Sequence, residues 1–178
     1  MAEDHRAKTY RLMLLRHAKS AWPEGVPDHD RPLGDRGRKA APLIGAYMER
    51  KGLIPGLALV STARRARETW ALVRDNLPPP IPARETRDIY EVAAPAILTT
   101  IRAVDPAIRN LVVVGHNPGM EDLAHLIAGS GKDEALVRMR EKFPTAALAV
   151  FEFDGSSWED LASGGCRLVD FVTARQLA

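Results

Sequence analysis

Two histidines and a cluster of arginines stand where a chain could do phosphate chemistry. His17 follows Arg16 at the end of the apolar run Tyr10-Arg11-Leu12-Met13-Leu14-Leu15, and Ala18-Lys19-Ser20 comes next. His116 follows Gly115 at the end of Leu111-Val112-Val113-Val114, ahead of Asn117-Pro118-Gly119. Between them, Ser61 closes Leu57-Ala58-Leu59-Val60 and leads into Thr62-Ala63-Arg64-Arg65-Ala66-Arg67. An imidazole can serve as nucleophile, acid or base near neutral pH. A guanidinium stays charged and presents a planar fork of donors that matches phosphate oxygens. Each residue alone has a plainer explanation: a structural histidine, a solvated arginine face, glycines that only make a tight turn. Three apolar runs that all end in such groups are hard to explain by packing.

The elements around these residues explain how they could meet. Short apolar runs alternate with helical periodicity, the pattern of an α/β protein. Strands are expected over 10–16, 57–61 and 111–114, the last wholly apolar and so suited to a sheet covered on both faces. Helices are expected over 35–51, with Ala40, Ile44, Tyr47 and Met48 inward, over 63–76, with Ala66, Trp70, Val73 and Leu77 inward, and over 95–104. Pro42 removes a backbone donor and is expected in the first turns of its helix or at a kink. Residues 81–87 read as a short strand or extended link, and Pro118 opens a helix that closes near Gly129. Residues 132–142 are charged, helical or loop-like, and their composition leaves open whether they flap over a pocket. Near the C-terminus, 147–153 and 158–162 read as an antiparallel hairpin around Asp154-Gly155-Ser156-Ser157, and 168–172 as a further edge segment. The expected fold is a three-layer α/β/α sandwich with a central, mostly parallel sheet. Neighbouring parallel strands would bring the three polar junctions to one crevice at their C-terminal ends, beside helix N-termini whose free N–H groups favour phosphate.

At 178 residues the chain is most simply one domain, with residues 1–8 expected to be flexible. Its 25 Lys and Arg against 23 Asp and Glu give a formal charge of +2, which argues against a dedicated nucleic-acid partner. Cys166 is the single cysteine, so neither an internal disulfide nor a cysteine metal cluster can form. No segment has the roughly 20 apolar residues of a membrane span, and the N-terminus has no apolar leader. The default expectation is a cytoplasmic protein without a membrane partner. His5 and His29 lack metal-ligand spacing and are expected to be exposed, so neither a metal nor a cofactor is anticipated. No Gly-x-Gly-x-x-Gly follows the first strand, which disfavours a dinucleotide binder.

Arg16-His17-Ala18, then Ser61 with Arg65-Ala66 and Thr69, then Gly115-His116 follow the order and spacing of the histidine phosphatase, or phosphoglycerate-mutase-like, superfamily, which the chain resembles over nearly its whole length. Pro32-Leu33 with Gly37 is similar to a further segment of that family. Arg16 to Trp22, Asp30 to Leu33, Gly115 to Gly119 and Pro144 to Ala149 look like its small bacterial branch of SixA-type phosphohistidine phosphatases. Two departures stand out. Ala18 replaces the usual Gly, and Pro23 occupies the place where mutase-like members carry a phosphate-contacting Asn, which argues against a mutase.

The resemblance implies a phosphoryl transfer in two steps. His17 would attack phosphorus, Arg16, Arg65, His116 and Ser20 would hold the phosphoryl oxygens, and water would hydrolyse the phosphohistidine. The substrate would be a phosphorylated protein or a small phosphorylated metabolite. Larger family members take their proton donor from the stretch after the second motif, where Glu91 is the positional candidate; Asp30 and Glu121 are alternatives. A phosphohistidine substrate relaxes the need for a donor, because an imidazole leaves more easily than an alkoxide. A non-catalytic phosphate-binding module on the same scaffold is the reading from a different class, and the presence of His17 speaks against it.

Overall fold

The computed structural model describes residues 7–178. Of the stretch expected to be flexible, residues 1–6 lie outside the described residues, and Lys8 already opens the first strand. A seven-stranded sheet is built from β1 (Lys8–Arg16), β2 (Leu57–Ser61), β3 (Ala83–Thr86), β4 (Asn110–Gly115), β5 (Ala128–Gly131), β6 (Leu148–Gly155) and β7 (Cys166–Val172), in the spatial order β3-β2-β4-β1-β6-β7-β5. The pairs from β3 to β1 are parallel, β1-β6 and β6-β7 are antiparallel, and β5 joins β7 in parallel.

Period-two alternation along the central strands explains why both faces are covered. Met13 and Leu15 of β1 and Val112 and Val114 of β4 face α1 (Asp35–Arg50) and α2 (Arg64–Arg74). Leu12, Leu14, Leu111 and Val113 face α3 (Ala94–Arg102), α4 (Gly119–Ile127) and α5 (Asp133–Glu141) on the other side. The chain therefore leaves β1 toward one face and β4 toward the other. These two strands are neighbours, so the crevice between their C-terminal ends is the point where the connections diverge, the usual ligand position in such sheets. Among the described residues no helix is long and apolar enough to cross a membrane.

Three local expectations change, and a fourth, for residues 132–142, is narrowed to one of its two alternatives. Pro42 sits in the middle of α1 rather than in its first turns; the Arg38 carbonyl it deprives of a donor belongs to an exposed residue, where water can serve it. Ala40 and Tyr47 are only half-buried, and Ala41 and Gly45 share the inner face with Ile44 and Met48 instead. The partner strand of the C-terminal hairpin is β7, not 158–162. There the Asp160 carboxylate accepts the N–H groups of Ser156 (2.8 Å) and Ser157 (3.2 Å), which closes a 3-10 turn over Trp158–Asp160 and buries Trp158 with its indole N–H on the Ile108 carbonyl (2.8 Å). Residues 132–142 are mostly helix: Ala135, Leu136 and Met139 of α5 are buried against the sheet. The short strand β5, of sequence Ala-Gly-Ser-Gly, carries no strand propensity and exists by pairing with β7.

Candidate active site

Sheet register brings the two histidines together. Arg16 pairs with Gly115 across β1 and β4, so the next residue on each strand is a histidine. The His17 N–H donates to the Gly115 carbonyl (3.0 Å), and the two imidazole centroids lie 5.1 Å apart. Val60 pairs with Val114, which carries Ser61 to within 2.7 Å of His116 Nε2. Arg65 lies in the first turn of α2, which follows β2 directly. One turn on, Thr69 Oγ1 donates to the Arg65 carbonyl (2.7 Å) and accepts the Ala18 N–H (2.9 Å), tying α2 to the loop behind His17. Gly37 of α1 packs on that loop so closely that a Cβ there would stand 2.1 Å from the Lys19 carbonyl oxygen.

The resulting crevice, of about 220 Å³, is lined by Arg16, His17, Ser20, Arg65, His116 and Glu91 among others. His17 is buried, and its Nδ1 lies 2.7 Å from the Ala18 carbonyl oxygen. A carbonyl can only accept, so Nδ1 carries the proton and Nε2 keeps its lone pair. Burial first, then the charges of Arg65, Arg16 and Arg31, pull the His17 pKa down to about 4 against the Ala18 bond, so the ring is neutral at pH 7. His116 is brought down to about 3, by burial and then by His17 and Arg65. Ser61 Oγ already accepts the Ala63 N–H (3.2 Å). Its hydroxyl hydrogen can therefore point to His116 Nε2, which leaves the His116 proton on Nδ1. That nitrogen is buried and, among the described residues, unpartnered, as are Nε of Arg16 and of Arg65. Buried donors without acceptors are costly, and the two guanidiniums and the imidazole that carry them all belong to residues lining the crevice.

A second cluster stands on the opposite rim. Arg65 donates to the Asp28 carbonyl (2.7 Å), to Asp28 Oδ2 (3.1 Å) and to Glu91 Oε1 (3.3 Å). The Tyr90 hydroxyl donates to Asp28 Oδ2 (2.6 Å). Partial burial would raise the Asp28 pKa, but the bonds from Tyr90 and Arg65 outweigh it and hold this carboxyl well below the usual range. Glu91 moves the other way, raised by burial and by the neighbouring Asp28 carboxylate. Two adjacent carboxyls with opposed shifts are the arrangement that separates an acid from a base. Glu91 itself adopts φ 49°, rare for a residue with a side chain. Close by, a Cβ on Gly119 would stand 2.4 Å from the Val92 carbonyl oxygen, so the start of α4 presses directly on the Glu91 segment.

Arg16, His17, Ser20, Arg65, His116 and Glu91 thus meet in one crevice. Asp30 and Glu121 are not among its lining residues. Asp30 is exposed beside His29 (3.6 Å), because the 3-10 turn over Asp28–Asp30 directs Asp28 inward and Asp30 outward. Glu121 lies in the first turn of α4, where Asn117 Nδ2 reaches its carboxylate at 3.4 Å. His29 is half-buried rather than exposed, bonded to Thr62 Oγ1 (2.8 Å) and edge-on to Tyr90; His5 lies outside the described residues. Sequence reasoning missed Arg31, Asp28 and Tyr90. Arg31 is buried in the crevice wall, donates to Ser20 Oγ and Asp28 Oδ1 (2.9 Å), and covers the Trp22 ring at 3.3 Å. The Asp-Arg-Pro-Leu segment was the available signal for Arg31; for Asp28 and Tyr90 there was none beyond proximity to Asp30 and Glu91.

Similarity to known proteins bears on the family. Residues 12–99, which span His17, Arg65 and Glu91, match the histidine phosphatase superfamily (branch 1). The uncharacterised protein Rv1276c of Mycobacterium tuberculosis is 39% identical over 163 residues, covering 90% of this chain and 100% of that protein. A candidate phosphohistidine phosphatase SixA from Agrobacterium tumefaciens is 30% identical and superposes with a TM-score of 0.79, over 92% of this chain and 97% of that one. Another from Nakamurella multipartitia is 26% identical, with a TM-score of 0.78 over 94% and 97% of the two chains. Likeness on this scale, over a sheet whose register sets the two histidines side by side, decides the family: the chain belongs to the histidine phosphatase superfamily.

Proposed function

We propose that the protein is a phosphatase that works through a phosphohistidine on His17, and that its substrate is itself a phosphohistidine on a protein. The observation that carries the reading is the His17 ring: neutral, fixed through Nδ1 on the Ala18 carbonyl, with the Nε2 lone pair free. Nε2 attacks phosphorus in line with the leaving group, the bond from phosphorus to the leaving nitrogen or oxygen breaks, and a proton reaches that atom from Glu91. Arg16, Arg65 and His116 Nδ1 take the phosphoryl oxygens, where negative charge is spread in the transition state. A bound dianion also raises the His116 pKa, which strengthens its donated bond. Water then attacks phosphorus and gives its proton to the Glu91 carboxylate, and the N–P bond breaks to restore His17 and release phosphate. Ser20 and Arg31 complete the wall.

The names carried by the similar Agrobacterium and Nakamurella proteins support a phosphohistidine substrate. One observation favours a second reading, a small phosphomonoester. Glu91 beside Asp28 is a positioned acid with a raised pKa, and an alkoxide leaving group needs such an acid where an imidazole does not. Kinetics on a phosphohistidine-bearing phosphotransfer protein, set against sugar and nucleotide phosphates, separates the two: a higher kcat/KM on any metabolite than on the protein overturns the first. Labelled phosphate trapped on the wild-type chain in acid-labile form, and absent from His17→Ala, tests the intermediate. Absence of label and of turnover with every phosphate donor would leave a phosphate-binding module.

A further inference from the structure

Beside the crevice lies a second, larger hollow of about 420 Å³ that the mechanism does not use. Lys19 and Thr145 line both, so the two are neighbours. Five cations border the hollow: Lys19 from the loop after β1, Arg36 from α1, Arg138 and Lys142 from α5 and its exit, and Arg175 from α6 (Ala174–Leu177). Its lining contains no Asp or Glu, although the chain as a whole has 23 acids to 25 bases. Surface lysines and arginines in a nearly balanced protein ordinarily sit among acids. Here, among the described residues, none of the five is within ion-pair distance of a carboxylate. Arg138 is held in place by bonds to the Phe171 carbonyl (2.9 Å) and Gln176 Oε1 (3.0 Å), and its buried Nε has no partner. Such a concentration of unpaired positive charge repels itself unless an anion joins it.

We propose that this hollow is a second anion subsite, which takes a further phosphoryl group carried by the same substrate whose first phosphoryl enters the His17 crevice. Size favours a compact group over a protein face. A hollow of this volume is in the range of small-ligand sites, whereas docking a protein surface requires on the order of 800 Å² per partner. Three guanidiniums and two lysines suit phosphate oxygens. Phe171, also in the lining, offers apolar surface to the spacer between the two groups. The inference rests on the reading of the His17 crevice as a phosphoryl site, and of the two substrate readings above it favours the second, a small phosphorylated metabolite, here one that carries more than one phosphoryl group.

Calorimetric binding of butanediol, hexanediol and octanediol bisphosphates, each against its matched monophosphate, tests the subsite without requiring turnover. The partner variant is Arg36→Gln/Lys142→Gln/Arg175→Gln; these three side chains are exposed and make no side-chain hydrogen bond among the described residues, so the fold does not depend on them. Wild type should bind one bisphosphate at least about tenfold tighter than its monophosphate, an advantage the triple variant loses while hydrolysing p-nitrophenyl phosphate as wild type does. Equal affinity for both partners at every spacer length, or an advantage that survives in the triple variant, overturns the subsite. So does tighter binding of hexaglutamate than of every bisphosphate, which would point to an acidic protein segment instead. Failure of the phosphatase reading looks different: no turnover of any phosphate, whatever the calorimetry gives.

Discussion

Arg16, His17, Arg65 and His116 hang from strand ends and the first turn of a helix, and most of their polar contacts are with backbone or with a residue of a neighbouring strand: Phe143, Ala18 and Asp28 carbonyls, and Ser61 Oγ. Across the same crevice, Asp28, Tyr90 and Glu91 come from short irregular turns and hold one another by side chains, with Glu91 half out in solvent. The attacking side is set by sheet register, which cannot shift without moving the core. The leaving-group side is set by a few charges and hydroxyls that can be altered singly. Changes to the first should therefore abolish chemistry, and changes to the second should redistribute it among substrates and pH values.

Loss of a guanidinium from the attacking side is the largest effect expected short of removing His17. Arg65→Ala should lower kcat by about 10²–10³, because it removes a donor to the transition-state oxygens, and it also frees Asp28 and Glu91 from their shared cation. Measured kcat within tenfold of wild type, on a folded variant, would break the division between the two sides. On the other rim, Glu91→Gln should cost about 10² on an alkyl phosphate and far less on p-nitrophenyl phosphate or phosphohistidine, whose leaving groups need little help. The pH profile carries the same information. Turnover of an alkyl phosphate requires His17 neutral, so it falls as pH drops toward about 4. It also requires Glu91 protonated, so it falls as pH rises through that raised pKa, and Glu91→Gln should erase the second limb.

The division also explains what the sequence disclosed. Apolar runs ending at Arg16, Ser61 and Gly115 are periodic and long enough to read, and a parallel sheet brings such ends together by geometry alone. The residues that line up there, His17, Arg65 and His116, were therefore legible. Asp28 was not, because a single 3-10 turn decides whether residue 28 or residue 30 faces inward, and no pattern of hydropathy records that choice. Trp158 misled for a related reason: an apolar residue in a capped turn looks like a strand residue until the Asp160 side chain is seen to close the turn. Glu91 was found by position only; its raised pKa comes from burial and from Asp28, some sixty residues away in the chain.

Stability should report on the attacking side independently of turnover. His17 and His116 titrate at about 4 and about 3 in the fold against about 6.5 in an unfolded chain. Between these values the unfolded state binds more protons than the native state, so stability falls as pH drops below about 6.5 and levels off once the folded pKa values are passed. The two rings lower each other, so their contributions do not simply add; the loss should be on the order of a few kcal/mol. Denaturant midpoints followed from pH 7 to pH 4 should show it, and His17→Gln/His116→Gln should flatten it. An unchanged slope in that double variant would place the acid sensitivity elsewhere.

The smallest expected effect lies at Tyr90. Its hydroxyl stabilises ionised Asp28 (2.6 Å), and ionised Asp28 in turn helps burial to raise the Glu91 pKa. In Tyr90→Phe the Asp28 carboxylate loses a donor worth about 1–3 kcal/mol for a charged acceptor, yet Arg65 and Arg31 still hold it at 3.1 and 2.9 Å. The one proton of the pair is then shared more evenly between the two carboxyls, so the form with Glu91 protonated is a smaller share of it. Turnover of an alkyl phosphate should fall only a few-fold, and its alkaline limb should stay in place or move slightly to higher pH, because the doubly ionised pair loses the same donor, while phosphohistidine turnover stays as it was. A uniform fall on both substrates would mean that Tyr90, which also stands edge-on to His116 at 5.4 Å, belongs to the attacking side after all.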